Sequence, residues 1–343
     1  MLDGYVSRRL GSARILTRAE LDDKRLSLLK EAVSYAVNNS RFYGERLKGA
    51  DFDSFESFSS LPFTTPEDVI ARGNNMLCVP VRDVHRVVTL FTSGTTGTPK
   101  RIYFTEDELR LTEEYFSHGM AEFVTAGQNV LILFPGRSPD CLNELLTKAL
   151  SRIGVNSQVF GFPAPGSYGE LLKTVIEGNF DFLAGPPEAV SGFARYLLDE
   201  SLSHRLSGRM KGVLLAASCV TEKCVEEIKA AFGCPVFEHY SMTETAYAGC
   251  VGCTVTPAYH IWESDLYYEL VDPESGLPVP PGETGEIVVT TLGKRAMPFI
   301  CYRTGDLSRL ITRPCPCGSI LRRLSRVESR PDPKKFRRPE IRP

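Results

Sequence analysis

A loop rich in glycine and threonine, TSGTTGTPK at residues 92–100, follows the apolar run HRVVTLF. Glycines let the backbone approach a ligand closely, hydroxyl groups donate hydrogen bonds and a lysine adds positive charge, so this composition suits a phosphate group. The common pattern G-x-x-x-x-G-K-[ST] is not met, because Pro99 stands at the second glycine position and Arg101 follows Lys100. Two alternatives stay open, a phosphate-binding loop or a hairpin loop rich in turn residues.

Two close cysteine pairs, Cys250 with Cys253 and Cys315 with Cys317, lie on either side of His260 in the sequence. Thiolates and an imidazole in a tetrahedral arrangement are typical ligands of structural Zn2+. The alternative is four unrelated thiols. Two such pairs in one chain favour the zinc site.

Short β-rich runs alternate with helical stretches between residues 87 and 240, which predicts βαβ units and a largely parallel sheet in an α/β fold. The runs are VVTLF, RIYF, NVLILF, SQVFG, FDFLA, GVLLAA and PVFEHY. An amphipathic segment at 26–38 predicts a leading helix. After about residue 259, DLYYELV and EIVVTTL predict an antiparallel β-rich subdomain. We expect a helical lead-in and core at 1–255, this subdomain at 256–318, and a basic, hinge-like tail at 319–343 that is extended or disordered.

Several helix starts are predicted between those runs. Thr105 with Glu108, and Ser167 with Glu170, have capping-box spacing. The two prolines at 186 and 187 suit a first helical turn.

Three motifs, in order along the chain, resemble those of the adenylate-forming superfamily, the acyl- and aryl-CoA ligases and their relatives. The loop at 92–100 resembles the signature loop, YSMTET at 240–245 the aromatic-x-x-Thr-Glu motif, and YRTGDL at 302–307 the Tyr-x-Thr-Gly-Asp motif. The stretches LPFTTPEDV, HIWESDLYYELVDPESG, GETGEIVVTTL and RAMPFICYRTGDLSRL are similar to phenylacetate-CoA ligases. The resemblance implies the large N-terminal domain of these enzymes, a doubly wound and mostly parallel sheet with a β-rich subdomain.

The resemblance also implies the reaction. An oxygen of a carboxylic acid, aryl or acyl, attacks the α-phosphate of ATP, and an acyl-adenylate and pyrophosphate form. The carboxylate is already ionised near neutral pH, so the protein needs no catalytic base and acts by alignment and by neutralising charge. ATP and Mg2+ are the implied cofactors, with CoA or a carrier thiol as an acceptor.

The catalytic residues implied by the resemblance are Lys100, Thr243 and Glu244, with Thr243 near the α-phosphate and Glu244 holding Mg2+. Asp306 would accept hydrogen bonds from the ribose hydroxyls. A carboxylate beside a hydroxyl suits a hard cation, and an aspartate suits a sugar diol. The alternative for Thr243 and Glu244 is a helix cap, and for Asp306 a turn cap. The implied nucleotide-binding residues are Thr92, Ser93, Gly94, Thr95, Thr96, Gly97, Ala217, Ser218, Tyr240, Thr243 and Asp306.

Recognition of the adenine and of the acid is less specific in this sequence. Ala217-Ser218-Cys219 departs from the Gly-Ala-Glu-Pro stretch that is usual in related ligases. The candidate walls of the acid pocket are Phe134, Gly136, His239 and Tyr240.

Relatives in the phenylacetate-CoA ligase branch carry a similar Cys, His and Cys-x-Cys-Gly set. Matching HIWESD to their His-x-x-Glu-Asp stretch favours Cys253, His260, Cys315 and Cys317 as the zinc ligands. Cys250 would be a spare ligand or a replacement for His260. The implied role is structural, tying the loop after the Thr243-Glu244 motif to the β subdomain.

Family members normally continue through a hinge into a small mobile C-terminal lid domain. RVESRPDP at 326–333 resembles a degraded hinge, with Ser329 in place of glycine, and the lid domain is expected to be absent. Three interpretations stay open: a chain that forms adenylates alone, one that needs a separate protein with the lid or an acyl acceptor, and a degenerate non-catalytic protein that binds nucleotide or carboxylate.

Composition excludes some other classes. The formal net charge of the 343 residues is -2, which gives no global field for nucleic acid or an anionic membrane. The N-terminal residues lack a signal-peptide pattern, and apolar runs such as VLILF are far shorter than the ~20 residues that span a bilayer. We expect a soluble cytoplasmic protein without disulfides, and a homodimer stays open. The alternative of another class is a zinc-containing nucleic-acid-binding module that uses the basic tail, including Arg322 and Arg323.

Overall fold

The structure, a computed structural model, describes residues 2–90, 99–136 and 138–328. The chain forms two compact units. The first unit comprises Met1–Arg110, Met242–Gly249 and His260–Pro343, and the second comprises Leu111–Ser241 and Cys250–Tyr259. The three-part division expected from the sequence stays a prediction.

The secondary-structure elements have the following bounds. The helices are α1 (Leu2–Arg9), α2 (Arg18–Asn39), α3 (Arg41–Arg46), α4 (Phe55–Phe58), α5 (Pro66–Arg72), α6 (Glu106–Met120), α7 (Leu142–Arg152), α8 (Tyr168–Glu177), α9 (Pro187–Asp199) and α10 (Glu222–Phe232). The strands are β1 (Arg86–Leu90), β2 (Lys100–Phe104), β3 (Asn129–Ile132), β4 (Asn156–Val159), β5 (Phe182–Gly185), β6 (Gly212–Leu215), β7 (Val236–Ser241), β8 (Gly249–Gly252), β9 (Ala258–Ile261), β10 (Leu266–Val271), β11 (Thr284–Thr291), β12 (Tyr302–Ile311) and β13 (Arg323–Ser325). Short 3-10 turns occupy Gly73–Met76, Val81–Asp83, Ser203–Arg205 and Thr243–Thr245. Among the described residues, no helix is long and apolar enough to cross a membrane.

The second unit is built on a parallel sheet. Its strands follow the order β4-β3-β5-β6-β7, and each neighbouring pair is parallel. Every residue of β5 and β6 is buried, as expected for strands of a parallel sheet that is covered on both faces. Side chains from β3, β5, β6, α8, α9 and α10 form one apolar core, which includes Leu183, Val213, Phe193 and Phe232. The predicted α/β class and parallel sheet are confirmed.

The first unit contains antiparallel sheet. Strands β10, β11, β12 and β13 pair in that order, all antiparallel, which confirms the β-rich segment predicted after residue 259. Strands β1 and β2 form a separate antiparallel hairpin, with Leu90 opposite Lys100. Grouping VVTLF and RIYF with the parallel sheet was therefore wrong. Two strands joined by a short loop pair as a hairpin, whereas parallel strands need a long crossover.

The basic tail has regular structure near its start, where Arg323–Ser325 form a strand, which agrees with the extended alternative and not with disorder there. Strand β13 pairs with β12, and the side chain of Arg323 is among the largest fully buried ones. Its guanidinium donates to the carbonyl of Arg313 at 3.0 Å, while Arg322 pairs with Asp22 at 3.2 Å. These two arginines are used inside the first unit, which argues against their binding nucleic acid.

All three predicted helix starts are confirmed, because α6, α8 and α9 begin at Glu106, Tyr168 and Pro187. Thr105 and Glu108 form the reciprocal capping hydrogen bonds before α6. Helix α9 begins at Pro187, directly after Pro186. The capping box at Ser167 was wrong, because the Ser167 hydroxyl donates to the carbonyl of Ala164 at 2.8 Å and does not cap α8.

Candidate active site

Three residues from separate parts of the first unit meet through their side chains. Lys100 begins β2, Glu244 lies in the 3-10 turn Thr243–Thr245, and Tyr302 begins β12. The ammonium of Lys100 forms an ion pair with Oε1 of Glu244. The hydroxyl of Tyr302 donates to the same oxygen at 2.9 Å, and Lys100 Nζ lies 3.3 Å from that hydroxyl. The structure thus brings together two of the predicted catalytic residues.

The charges of this cluster are largely removed from water. The side chains of Lys100 and Glu244 are 12% and 5% exposed. Burial by itself would raise the pKa of Glu244, but the nearby Lys100 ammonium and the hydrogen bonds to the carboxylate outweigh it, and the pKa of Glu244 lies below its usual value. The carboxylate is therefore ionised at neutral pH and chemically suited to a hard cation such as Mg2+.

The backbone around Glu244 is tightly turned. Ala246 and Tyr247 both have left-handed conformations, with φ values of 56° and 59°. Non-glycine residues adopt this region only at some energetic cost, so surrounding contacts must hold them there. The ring of Tyr247 stacks on that of Phe104 with 6.0 Å between centroids. Lys294 Nζ donates to the carbonyl of Glu244 at 3.2 Å.

Two nucleotide candidates among the described residues of this unit, Thr243 and Asp306, are half-buried. Thr243 opens the 3-10 turn, and Asp306 lies on β12 just after Gly305, whose φ is 80°. The amide of Asp306 donates to the Thr304 hydroxyl at 3.0 Å. That of Gly305 donates to Glu286 at 3.0 Å. Two backbone amides of the Thr-Gly-Asp sequence are thus held by side chains, those of Thr304 and Glu286.

Glu286, on β11, has a second partner on β12, the strand that contains Gly305. Its carboxylate pairs with the guanidinium of Arg303 at 2.6 Å, and both side chains are 0% exposed. Arg303 also donates to the carbonyl of Pro273 at 2.8 Å. A buried ion pair therefore underlies the strand segment that presents Asp306.

The second unit places its candidate residues after its parallel strands. Phe134 and Gly136 follow β3, Ala217 and Ser218 follow β6, and His239 and Tyr240 lie near the end of β7. Because ligands of parallel α/β sheets bind at the carboxyl ends of the strands, this position is consistent with the predicted roles.

Several of these candidate residues of the second unit have defined contacts or backbone conformations. Ala217 is left-handed with φ 75°, and the Ser218 hydroxyl donates to Glu188 at 2.7 Å. His239 meets the ring of Phe116 edge to face at 6.3 Å. Phe134 is buried. The assignment of adenine and acid contacts to these residues stays a prediction.

The predicted phosphate-loop residues Thr92, Ser93, Gly94, Thr95, Thr96 and Gly97 lie outside the described residues, as does Ser329 of the hinge-like segment. The predictions for them stay predictions. Lys100, which closes the loop, is the described member of the motif that reaches the active-site cluster.

A second cluster in the first unit has metal-binding chemistry. The ligand atoms of His260, Cys315 and Cys317 all lie within 4.8 Å of one another, and Cys317 Sγ is 3.4 Å from His260 Nε2. His260 lies on β9, and the two cysteines follow β12 in a turn that ends at Gly318 with φ 87°. Burial lowers the pKa of His260, which favours the neutral imidazole that metals require. Two thiols and one imidazole fit Zn2+.

The remaining predicted zinc ligands belong to the second unit. Cys250 lies on β8 and is buried, and Cys253 follows that strand. The amide of Cys253 donates to the carbonyl of Ala258 at 2.7 Å. Their roles as ligands stay predictions.

Two contributors were missed by the sequence analysis. Tyr302 stands in the YRTGDL motif, so its position could have marked it, but nothing in the sequence shows which carboxylate its hydroxyl meets. Lys294 stands in an irregular connection between β11 and β12. No periodic pattern there distinguishes a buried lysine from an exposed one.

The chain is similar to known proteins over most of its length. The AMP-binding enzyme family matches residues 49–294. The phenylacetate-coenzyme A ligase of Thermus thermophilus is 28% identical over 334 residues, which cover 92% of this chain and 72% of that protein. The corresponding ligase of Escherichia coli is 27% identical over 340 residues, with 91% and 72% covered.

Solved structures show the same fold. An open conformation of 2-hydroxyisobutyryl-CoA ligase, in complex with 2-HIB-AMP and CoA, superimposes with a TM-score of 0.81 at 21% identity, and the match covers 92% of this chain and 71% of that one. The resemblance to adenylate-forming enzymes that the sequence motifs indicated is confirmed by these matches.

Proposed function

This chain belongs to the AMP-binding enzyme family, and we propose that it activates a small carboxylic acid with ATP and passes the acyl group to a thiol, in the manner of a phenylacetate-CoA ligase. In the first step a carboxylate oxygen bonds to the α-phosphorus of ATP, and the bond to pyrophosphate breaks. In the second step a thiolate such as that of CoA displaces AMP. The relatives named above supply the substrate class, an aryl or short hydroxylated acid.

The observation that most supports the proposal is the cluster of Lys100, Glu244 and Tyr302. It places a cation and an ionised carboxylate together in a largely buried setting. Charge stabilisation is strongest where water is excluded and the groups are already oriented. A phosphoryl-transfer site requires those conditions, because its negative charge is spread over several oxygens.

Each described residue then has a distinct role. Lys100 would turn from Glu244 to the phosphates when nucleotide binds. Thr243 would donate a hydrogen bond from its hydroxyl near the α-phosphate. Asp306 would accept hydrogen bonds from the ribose hydroxyls. Mg2+, held by the Glu244 carboxylate, would supply positive charge to the phosphate oxygens. Tyr302 keeps the carboxylate oriented through its 2.9 Å hydrogen bond.

We also propose a structural zinc ion at His260, Cys315 and Cys317. The fourth ligand expected from the sequence, Cys253, stays a prediction. The donor set supports the zinc ion, and the site has no part in the chemistry. Its effect would be to fix the turn that follows β12. The predicted acceptor protein, lid protein and homodimer stay predictions.

The proposal is tested by ATP-pyrophosphate exchange over a panel of acids that includes phenylacetate, benzoate and 2-hydroxyisobutyrate. We expect exchange with at least one acid, and AMP release with thioester formation once CoA is added. If the folded chain binds Mg-ATP but no acid in a broad panel supports exchange, the degenerate binding protein described above becomes the better interpretation.

A further inference from the structure

Lys294 has a buried cationic side chain that the proposed chemistry does not use. The residue is 7% exposed, and its ammonium lies 4.4 Å from the ring centroid of Phe104 and 5.2 Å from that of Phe299. Its hydrogen bond runs to the backbone carbonyl of Glu244 at 3.2 Å. Burying an ammonium is costly unless specific contacts compensate. Burial lowers the pKa of Lys294 to about 8, although the carboxylates of Glu108 and Glu244 oppose that shift.

The segment that contains Lys294 is itself held in place. The carboxylate of Glu108 accepts from the amides of Arg295 and Ala296 at 2.8 and 3.1 Å. The same carboxylate caps α6 through Thr105. The connection between β11 and β12 is therefore anchored to the start of a helix, and Lys294 projects from a fixed base.

Lys294 and Phe104 together contact both ends of the tight turn around Glu244. At one end, Lys294 binds the Glu244 carbonyl. At the other end, the ring of left-handed Tyr247 stacks on Phe104, the ring that the Lys294 ammonium also faces. The two left-handed residues, Ala246 and Tyr247, need such restraint because their conformation is unfavourable in isolation.

We infer that Lys294 is a positioning residue that fixes the Glu244 peptide, and through it the direction of the Glu244 carboxylate, for binding of Mg2+ with ATP. The inference rests on the function proposed above. It concerns a residue outside the three sequence motifs, acting through a backbone carbonyl, and it does not place Lys294 in contact with substrate.

Two roles for Lys294 predict opposite results when its charge is removed. If the ammonium acts only as a nearby positive charge, its loss relieves repulsion and Mg2+ binds more tightly. If it positions Glu244, its loss weakens Mg2+ binding, since partners that orient a metal ligand typically contribute about 10- to 100-fold to affinity. A purely structural role would instead lower the melting temperature without a specific change in Mg2+ requirement.

The experiment compares the wild-type chain with Lys294→Met, which keeps the length but not the charge, and with Lys294→Gln, which keeps a hydrogen-bond donor. Lys223→Met is the matched control, because the Lys223 side chain is 83% exposed. The rise in melting temperature caused by about 5 mM ATP, roughly fivefold above the upper end of typical KM values, is measured against Mg2+ concentration. Unliganded melting temperatures report stability, and exchange with phenylacetate gives a second readout.

We expect Lys294→Met to need about 10-fold more Mg2+ for half of the shift. Lys294→Gln should fall between Lys294→Met and the wild type, and Lys223→Met should match the wild type. An unchanged or lower Mg2+ requirement in both Lys294 variants overturns the inference alone. A folded wild-type chain that does not respond to Mg-ATP overturns the proposed function instead. If Lys294→Met does not fold, the Mg2+ requirement of Lys294→Gln decides.

Discussion

The ammonium of Lys100 pairs with the carboxylate of Glu244 across 144 positions of sequence. Neither charge would be stable in its buried place without the other, because an unpaired charge away from water is strongly disfavoured. The pair also restrains both groups before any ligand arrives. A nucleotide with its cation would therefore replace an existing arrangement of opposite charges, with phosphate taking the place of the carboxylate beside Lys100.

Glu244→Gln should reduce ATP-pyrophosphate exchange by about 10²- to 10³-fold, the usual effect of removing one group that stabilises transition-state charge. The amide keeps the shape of the side chain, so the far-UV circular dichroism spectrum should not change. Glu177→Gln is the matched control, because the Glu177 side chain is 66% exposed. Exchange by Glu244→Gln within twofold of wild type would contradict the role assigned to this carboxylate.

Asp306→Asn should weaken ATP binding, because an amide accepts fewer hydrogen bonds from a sugar diol than a carboxylate does. Ligands specific for the native state raise its melting temperature by mass action, so the shift produced by millimolar Mg-ATP should shrink. Asp53→Asn serves as the control, since that side chain is 84% exposed. An undiminished shift in Asp306→Asn would remove the residue from the nucleotide site.

Glu286→Gln should destabilise the protein by about 3–5 kcal/mol, because it leaves the guanidinium of Arg303 buried without its counter-charge. The measurement is the urea midpoint of unfolding, followed by circular dichroism. The Arg303→Met, Glu286→Leu double variant should recover much of the loss, since apolar pairs can replace buried ion pairs. A double variant that is less stable than Glu286→Gln would show that the pair is needed for more than mutual neutralisation.

Thiol labelling should separate the cysteines by environment. Burial raises the pKa of Cys78 to about 12 and that of Cys234 to about 11, so neither forms much thiolate at pH 8 and both should resist alkylation in the native protein. Cys219 is exposed and should react. Cys317 is exposed too, but bound zinc should protect it until a strong chelator is added.

Metal analysis completes that test, with about one zinc per chain expected in protein purified without chelator. Cys317→Ser should lower this content, whereas Cys219→Ser should not. Rapid labelling of Cys317 before chelation, together with less than half an equivalent of zinc, would count against the metal site.

The sequence could predict local and motif-based features of this protein. The capping pair Thr105 and Glu108 formed because both partners lie within one helical turn. The proposed role of Glu244 as a functional carboxylate came from its motif. Its partner Lys100 was assigned to phosphate, and their contact could not be predicted, since it depends on how distant segments pack.

Two features, the tail around Arg323 and the cap at Ser167, differ from the prediction because of hydrogen bonds that composition and spacing do not show. Arginine-rich composition suggested an extended or disordered tail with exposed arginines, yet Arg323 is buried because β13 pairs with β12 and backbone carbonyls accept hydrogen bonds from its guanidinium. Ser167 has the right spacing for a cap, but the carbonyl of Ala164 offers its hydroxyl a nearer partner. In both cases a tertiary or local hydrogen bond overrode a composition rule.

The first unit is assembled from three separate stretches of chain, whereas most of the second is the continuous segment Leu111–Ser241. During synthesis that segment is made before Glu244 and Tyr302, and its first part leaves the ribosome before either of them has been added. The longest part of one unit can therefore begin to fold while the Lys100 cluster still lacks two of its members. Catalytic competence would be among the last properties that the growing chain acquires, and a polypeptide stalled before residue 302 could hold native structure in the second unit and still be inactive.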